Sequence, residues 1–231
     1  MWSAHGRFAR DPRVHSPAMD IVFYYGSGSP FAWKVWLALE YKKVPYDLRV
    51  LSFDKGETRT AAFLAVNPRG QVPAIKDGHF ALWESAAIVE YLEEKTPTPT
   101  LFPGDAMKRA RARRIATEAD QSFYSALRRL TNETLHKRRG DGDLKVIGEA
   151  QEQLASELYR FESYLVGDFF VGELSVADFA LYPMIATLGR LHERMPEHSI
   201  SHKVGPKVQT WAKRIEALPF FDKTIPPHWK A

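Results

Sequence analysis

The chain contains no cysteine among its 231 residues. That excludes disulfides, thiolate metal sites, a cysteine nucleophile and a protein-borne thiol couple. Any thiol chemistry must use a thiol that a ligand brings. No apolar run is long enough to span a bilayer, so no membrane partner is expected. There is no P-loop, no GxGxxG and no HExxH, and the Gly26-Ser27-Gly28 triplet is too short to cradle a nucleotide. The histidines (5, 15, 79, 136, 192, 198, 202 and 228) show no metal-ligand spacing, and His198 and His202 fall in a loop-like stretch. No metal is expected. Repeats and low-complexity tracts are absent, and the formal charge of +4 is too small to demand a nucleic-acid partner.

What remains is an ordinary globular composition, 45% hydrophobic and 26% charged, with a cytoplasmic location the simplest expectation. Residues 1–18 have neither the apolar core nor the cleavage pattern of a secretory signal. Their arginines and two prolines read as a disordered arm, with Met19 an alternative start. A transit-peptide reading is weak, because no amphipathic helix is visible there.

From Asp20 the pattern alternates. A β-rich run stops at Gly26, and Ser29-Pro30 opens a helix marked by Phe31, Val35, Trp36 and Leu39. Tyr46–Phe53 alternates like a strand, Glu57–Val66 makes a short helix, and "QVPAI" and "HFALW" are strands around Lys76-Asp77-Gly78. Ser85–Lys95 is an amphipathic helix. This β-α-β-α-β-β-α unit covers residues 19–95. The Pro-rich segment 96–104 is a linker, and 105–231 shows helical patterns only. Those helices are expected over about 105–139, 143–166, 175–191 and 204–218. The fold class is α/β followed by an all-α domain.

Four stretches could carry chemistry. Ser29-Pro30 is a good N-cap and N1 pair, yet a hydroxyl that accepts a first-turn N–H can still donate outward. A thiolate placed there would gain a hydrogen bond and the helix field. In Asn67–Ile75, Pro73 cannot donate to a ladder; Val72, ahead of it, could pair with a peptide-like ligand if the bond were cis. Glu84-Ser85 heads a helix whose free N–H groups suit a carboxylate. Ser175-x-x-Asp178 is a capping box and reads as a folding signal. Between Met107 and Arg139, ten Lys or Arg face three acids. That reads as a solvated face, or one flanking an anionic ligand, since no aromatic interleaving for bases is present.

Taken in order, "SPFAWKV", "NPRGQVP", "ES" and "SVAD" resemble the cytosolic glutathione transferase superfamily, with tau-like and zeta-like traits. The resemblance implies a thioredoxin-like domain joined to a helical domain, usually dimerised. It implies Ser29 as the hydroxyl activating glutathione and Val72, ahead of cis-Pro73, as the partner of the cysteinyl backbone. Glu84 and Ser85 would hold the γ-glutamyl end, and Gln71 and Lys55 the glycyl carboxylate. Omega-like classes carry Cys at the Ser29 position and zeta-like ones Cys where this chain has Phe31. That departure argues against thioltransferase and maleylacetoacetate isomerase activity. Ser27 is a rival donor. The expected enzyme uses glutathione as co-substrate against an electrophilic, mostly apolar compound lined by Phe31, Tyr124 and Trp229. A glutathione-dependent isomerase, dehalogenase or peroxidase shares the same first site. A non-catalytic binding protein of this fold is the alternative from another class.

Overall fold

The computed structural model describes residues 21–229, so the expected arm at 1–18 lies outside the described residues. Strand β1 (Ile21–Gly26) carries three aromatic residues and leads into helix α1 (Pro30–Tyr41). Strand β2 (Tyr46–Leu51), the short helix α2 (Ala61–Leu64), strands β3 (Ala74–Asp77) and β4 (Phe80–Trp83), and helix α3 (Ser85–Lys95) complete the first domain. The sheet order is β2-β1-β3-β4. β1 runs parallel to β2, pairing Ile21 with Tyr46, and antiparallel to β3, pairing Tyr24 with Ala74. This is the thioredoxin-like arrangement expected above.

The second domain is helical: α4 (Ala106–Glu118), α5 (Tyr124–Glu133), α6 (Leu144–Tyr164), α7 (Val176–Arg194), α8 (Pro206–Glu216) and the single turn α9 (Phe221–Thr224). A π-helical turn at Ala119–Phe123 joins α4 to α5. The expected long helix therefore ends at Glu133, not Arg139. Thr134 leaves helical geometry, its hydroxyl donates back to the Leu130 carbonyl at 2.7 Å, and the His136 N–H closes the end on Thr131 O. The expected helix over 57–66 is instead a 3-10 turn at Glu57–Arg59 followed by α2. Gln71–Pro73 precede β3 and are not part of the ladder.

Helix α1 is the centre of the molecule. Residues Ala32 to Leu39 are all buried, because one face lies on the sheet and the other on α7. Trp33 bridges the domains: its ring stands edge-on to Tyr182 at 5.5 Å and its indole N–H donates to Thr224 Oγ1 at 3.1 Å. The Pro-rich segment is pinned as well. Lys42 Nζ donates to Pro99 O at 2.8 Å and to Glu93 at 2.6 Å, and Val176 N–H to Leu101 O at 2.9 Å.

The capping box at α7 is built around a fully buried Asp178. One of its oxygens accepts from the Phe170 N–H (3.2 Å) and the Trp211 indole (2.8 Å). The other accepts from the Ser175 N–H (2.9 Å) and hydroxyl (2.8 Å). Burial raises this carboxyl to about 6 although its donors favour the ionised form.

Candidate active site between the two domains

A cleft of about 920 Å3 opens between the β1–α1 turn, the segment before β3, the start of α3, and the π-turn and α5 of the helical domain. Ser29 lies on it as the N-cap of α1. Its Oγ accepts from the Ala32 N–H at 3.3 Å, its backbone is extended (φ −79°, ψ 116°), and Pro30 occupies the first helical position. The hydroxyl proton is therefore available to a group in the cleft. Gly26 makes the approach possible: a Cβ there would lie 2.5 Å from the Phe53 ring and 2.8 Å from Val72.

Val72 lines the same cleft. The Val72–Pro73 bond is cis. Among the described residues neither the N–H nor the C=O of Val72 is engaged within the protein. An unpaired strand-like edge of this kind suits an extended, peptide-like ligand. The loop before it is fixed by Asn67, which donates to Gln71 O at 2.6 Å and accepts from the Arg69 N–H at 3.0 Å.

Glu84 and Ser85 form the third wall. Glu84 caps α3 with φ +68° and ψ 112°, a conformation rare for a side chain of this kind. Strain of that sort costs about 1–3 kcal/mol and persists where the surroundings impose it, often at functional sites. Its carboxylate is exposed, with Arg69 at 3.8 Å, a pairing worth little. Ser85 is buried at the first position of α3.

Not every expected residue converges. Ser29, Gln71, Val72, Pro73, Glu84, Ser85, Phe31 and Tyr124 all line the cleft. The Phe31 and Tyr124 rings meet edge-on at 4.5 Å. Lys55 is exposed and outside it, while Arg59 lines it instead. Trp229 walls an adjoining pocket. Tyr25, beside the same loop, does not reach the cleft, and burial raises its hydroxyl to about 12.

Three features were invisible beforehand. His228 reaches the β1–α1 turn and hydrogen-bonds Ser27 Oγ through Nδ1, engaging the rival donor. Burial and the nearby Arg190 and Arg194 push the imidazole pKa down, so it is neutral near pH 7. Lys34, 1% exposed on α1, reaches Asp120 of the π-turn at 2.5 Å. Burial lowers the lysine and raises the aspartate, each opposed by the other's charge. The second oxygen of Asp120, Oδ1, is buried with no partner among the described residues, and the residue lines the cleft. Sequence separation explains why none was foreseen: 201 positions for Ser27 and His228, 86 for Lys34 and Asp120.

Within the basic stretch Lys108 reaches Glu173, while Arg109, Arg111 and Arg138 have no carboxylate partner among the described residues. Arg113 pairs with Glu90, Arg114 with Glu118, Arg129 with Glu149, Lys137 with Glu133 and Arg139 with Glu197. Arg128, on the cleft, has no carboxylate partner among the described residues.

Comparison with known proteins agrees with this geometry. Residues 28–95 match the family "Glutathione S-transferase, N-terminal domain" and residues 117–219 "Glutathione S-transferase, C-terminal domain". The chain is 30% identical to glutathione S-transferase A of Pleuronectes platessa over 92% of its length and 94% of that protein. It is 33% identical to the maleylacetoacetate isomerase of Mus musculus, covering 78% of this chain and 84% of the other. The crystal structure of a glutathione S-transferase from the Antarctic clam Laternula elliptica superposes with a TM-score of 0.76 at 33% identity, over 91% and 94% of the two chains. Both domains and their order agree: the chain belongs to the glutathione S-transferase family.

Proposed function

We propose that this chain binds glutathione in the interdomain cleft, with Ser29 as the group that stabilises its thiolate. The observation that carries the reading is the Ser29 hydroxyl, which accepts from its own helix and so has its proton free toward the cleft. Bound there, glutathione supplies a sulfur nucleophile. Ser29 donates to that sulfur, and the first turn of α1 adds its field, so the thiol loses its proton to solvent at lower pH. Val72 pairs through its free N–H and C=O with the cysteinyl backbone. Ser85 and the first-turn N–H groups of α3 hold the γ-glutamyl carboxylate, and Glu84 its ammonium. Gln71 and Arg59 take the glycyl carboxylate, in place of the exposed Lys55. Phe31 and Tyr124 limit the space left for the electrophile. No step uses a metal.

Glutathione at about one hundred times its Kd should stabilise the fold by about 2.7 kcal/mol, a melting-temperature rise of roughly 5–10 °C at this size. Differential scanning fluorimetry reads this directly. No shift at millimolar glutathione favours the non-catalytic reading.

A glutathione-dependent isomerase is the second reading, favoured by the maleylacetoacetate isomerase among the relatives. It shares the Ser29 site and returns its glutathione, so stoichiometric loss of free thiol separates the two.

We further infer that two copies pair two-fold, in keeping with the family and with exposed Phe80 and Met107 on the first domain and α4. Light scattering should read twice the 26.4 kDa chain mass at micromolar concentration, and a monomer there contradicts the pairing. No helix among the described residues is long and apolar enough to cross a membrane, and a cytoplasmic location is part of this proposal.

A further inference from the structure

A smaller pocket of about 290 Å3 adjoins the cleft and shares Gly28, Pro30 and Tyr124 with it. Its apolar walls are Leu127, Leu135 and Trp229. Its charged groups are of one sign: Arg128, Arg190 and Arg194, with no aspartate or glutamate among the lining residues. Arg190 is held by Glu193 at 3.1 Å and lies 5.9 Å over the Trp229 ring. Arg128 and Arg194 have no carboxylate partner among the described residues, in contrast to Arg129 and Arg190 of the same two helices. Two such guanidiniums beside apolar walls focus a positive potential into the pocket. His228 lines both cavities and joins the pocket to the cleft.

Arg190 and Arg194 lie outside the cleft that gathers the expected glutathione residues, whereas Arg128 lines both cavities. None of Gln71, Val72, Glu84 and Ser85 lines the pocket. Yet it opens beside Ser29, through Gly28 and Pro30.

We propose that this pocket is a carboxylate subsite: the electrophile carries a carboxylate held by Arg128 and Arg194, with its reactive carbon toward Ser29. The inference rests on the thiolate reading above and replaces the mostly apolar electrophile expected from the sequence. Guanidinium–carboxylate pairing is bidentate and directional, so it orients the substrate as well as binding it. The volume is at the small end for ligand pockets and suits a body of about one substituted ring.

A matched pair of electrophiles tests this: a chlorodinitrobenzoate and its methyl ester. In both, the glutathione sulfur bonds to the carbon bearing chlorine, chloride leaves with its bonding electrons, and the thiol proton passes to buffer. Each kcat/KM is divided by the uncatalysed rate constant with glutathione, which removes the ester's intrinsic advantage. The parent enzyme should favour the acid about tenfold or more, the scale of one charged hydrogen bond. Arg128→Gln and Arg194→Gln should each lower the acid-to-ester ratio several-fold, with Arg194→Lys retaining part of it. Independently of any variant, benzoate should compete with the ester on the parent enzyme and benzamide should not. A parent ratio near one, or a ratio unmoved in both glutamine variants, overturns the subsite and leaves the Ser29 reading standing. Turnover of neither compound, with no thermal shift on adding glutathione, overturns both.

Discussion

Ser29→Ala should lower the conjugation rate roughly a hundredfold or more, the usual cost of removing one hydrogen-bond donor from a developing or resting anion, while the protein stays folded. Two effects of one hydroxyl must be kept apart. As N-cap it accepts the Ala32 N–H, and losing that costs about 1 kcal/mol of stability. As donor to the thiolate it lowers the pKa of bound glutathione, at about 1.36 kcal/mol per pKa unit. The alanine variant should therefore bind glutathione nearly as before, show a raised thiol pKa, and recover activity as pH rises, because the thiolate fraction then returns. Ser29→Thr keeps the hydroxyl and should retain part of the activity. Ser29→Asp caps the helix but offers no proton and repels the sulfur, so stability should return without activity. Thiolate absorbance followed against pH decides the matter. An unchanged pKa in the alanine variant would reduce Ser29 to a cap and move attention to Ser27, whose hydroxyl already engages His228.

The largest loss of stability is expected at Asp178, well away from the cleft. Asp178→Asn should cost about 4 kcal/mol, because the amide nitrogen then faces donors where an oxygen accepted, and buried unmet donors cost about 1–3 kcal/mol each. At this chain length that is a fall of roughly 10 °C or more in melting temperature. The amide nitrogen leaves unmet either the Phe170 N–H and Trp211 indole or the two Ser175 donors, according to which oxygen it replaces. A loss under about 1 kcal/mol in a reversible melt would show that water or local repacking replaces the carboxylate.

These two residues were both legible in the sequence, for the same physical reason. A helix start is written in three or four adjacent residues, and Ser29-Pro30 and Ser175-x-x-Asp178 are such local signals. The strand–helix alternation of the first domain was readable by period, and three of the four candidate stretches, those at Ser29, Asn67–Ile75 and Glu84-Ser85, do surround one cleft. The helix end at Glu133 was not, because the glycines at 140 and 142 are stronger breakers on paper than Thr134, whose back-bond to Leu130 does the work earlier. Nor could adjacent arginines be told apart: Arg129 pairs with Glu149 of α6, while Arg128, one residue and about 100° round the helix, faces the cleft. Nothing local marks Lys34 as buried, because its partner Asp120 is 86 positions away. Long-range partners carry no local signature.

The segment from Pro226 to Trp229 is a single 3-10 turn outside the packed helices, closed by Trp229 N–H on Pro226 O at 2.8 Å. It nevertheless supplies His228 to both cavities and Trp229 to the smaller one. With Pro226 buried and Trp229 edge-on to Trp33 at 5.2 Å, the exposed Pro227 and His228 form the exchangeable part: changing them would redraw the mouth of the pocket without altering any residue of the sheet or of the Asp178 hub. Substrate scope and foldability are thereby written in different parts of this chain, and a library confined to these two positions could alter the first while leaving the second nearly constant.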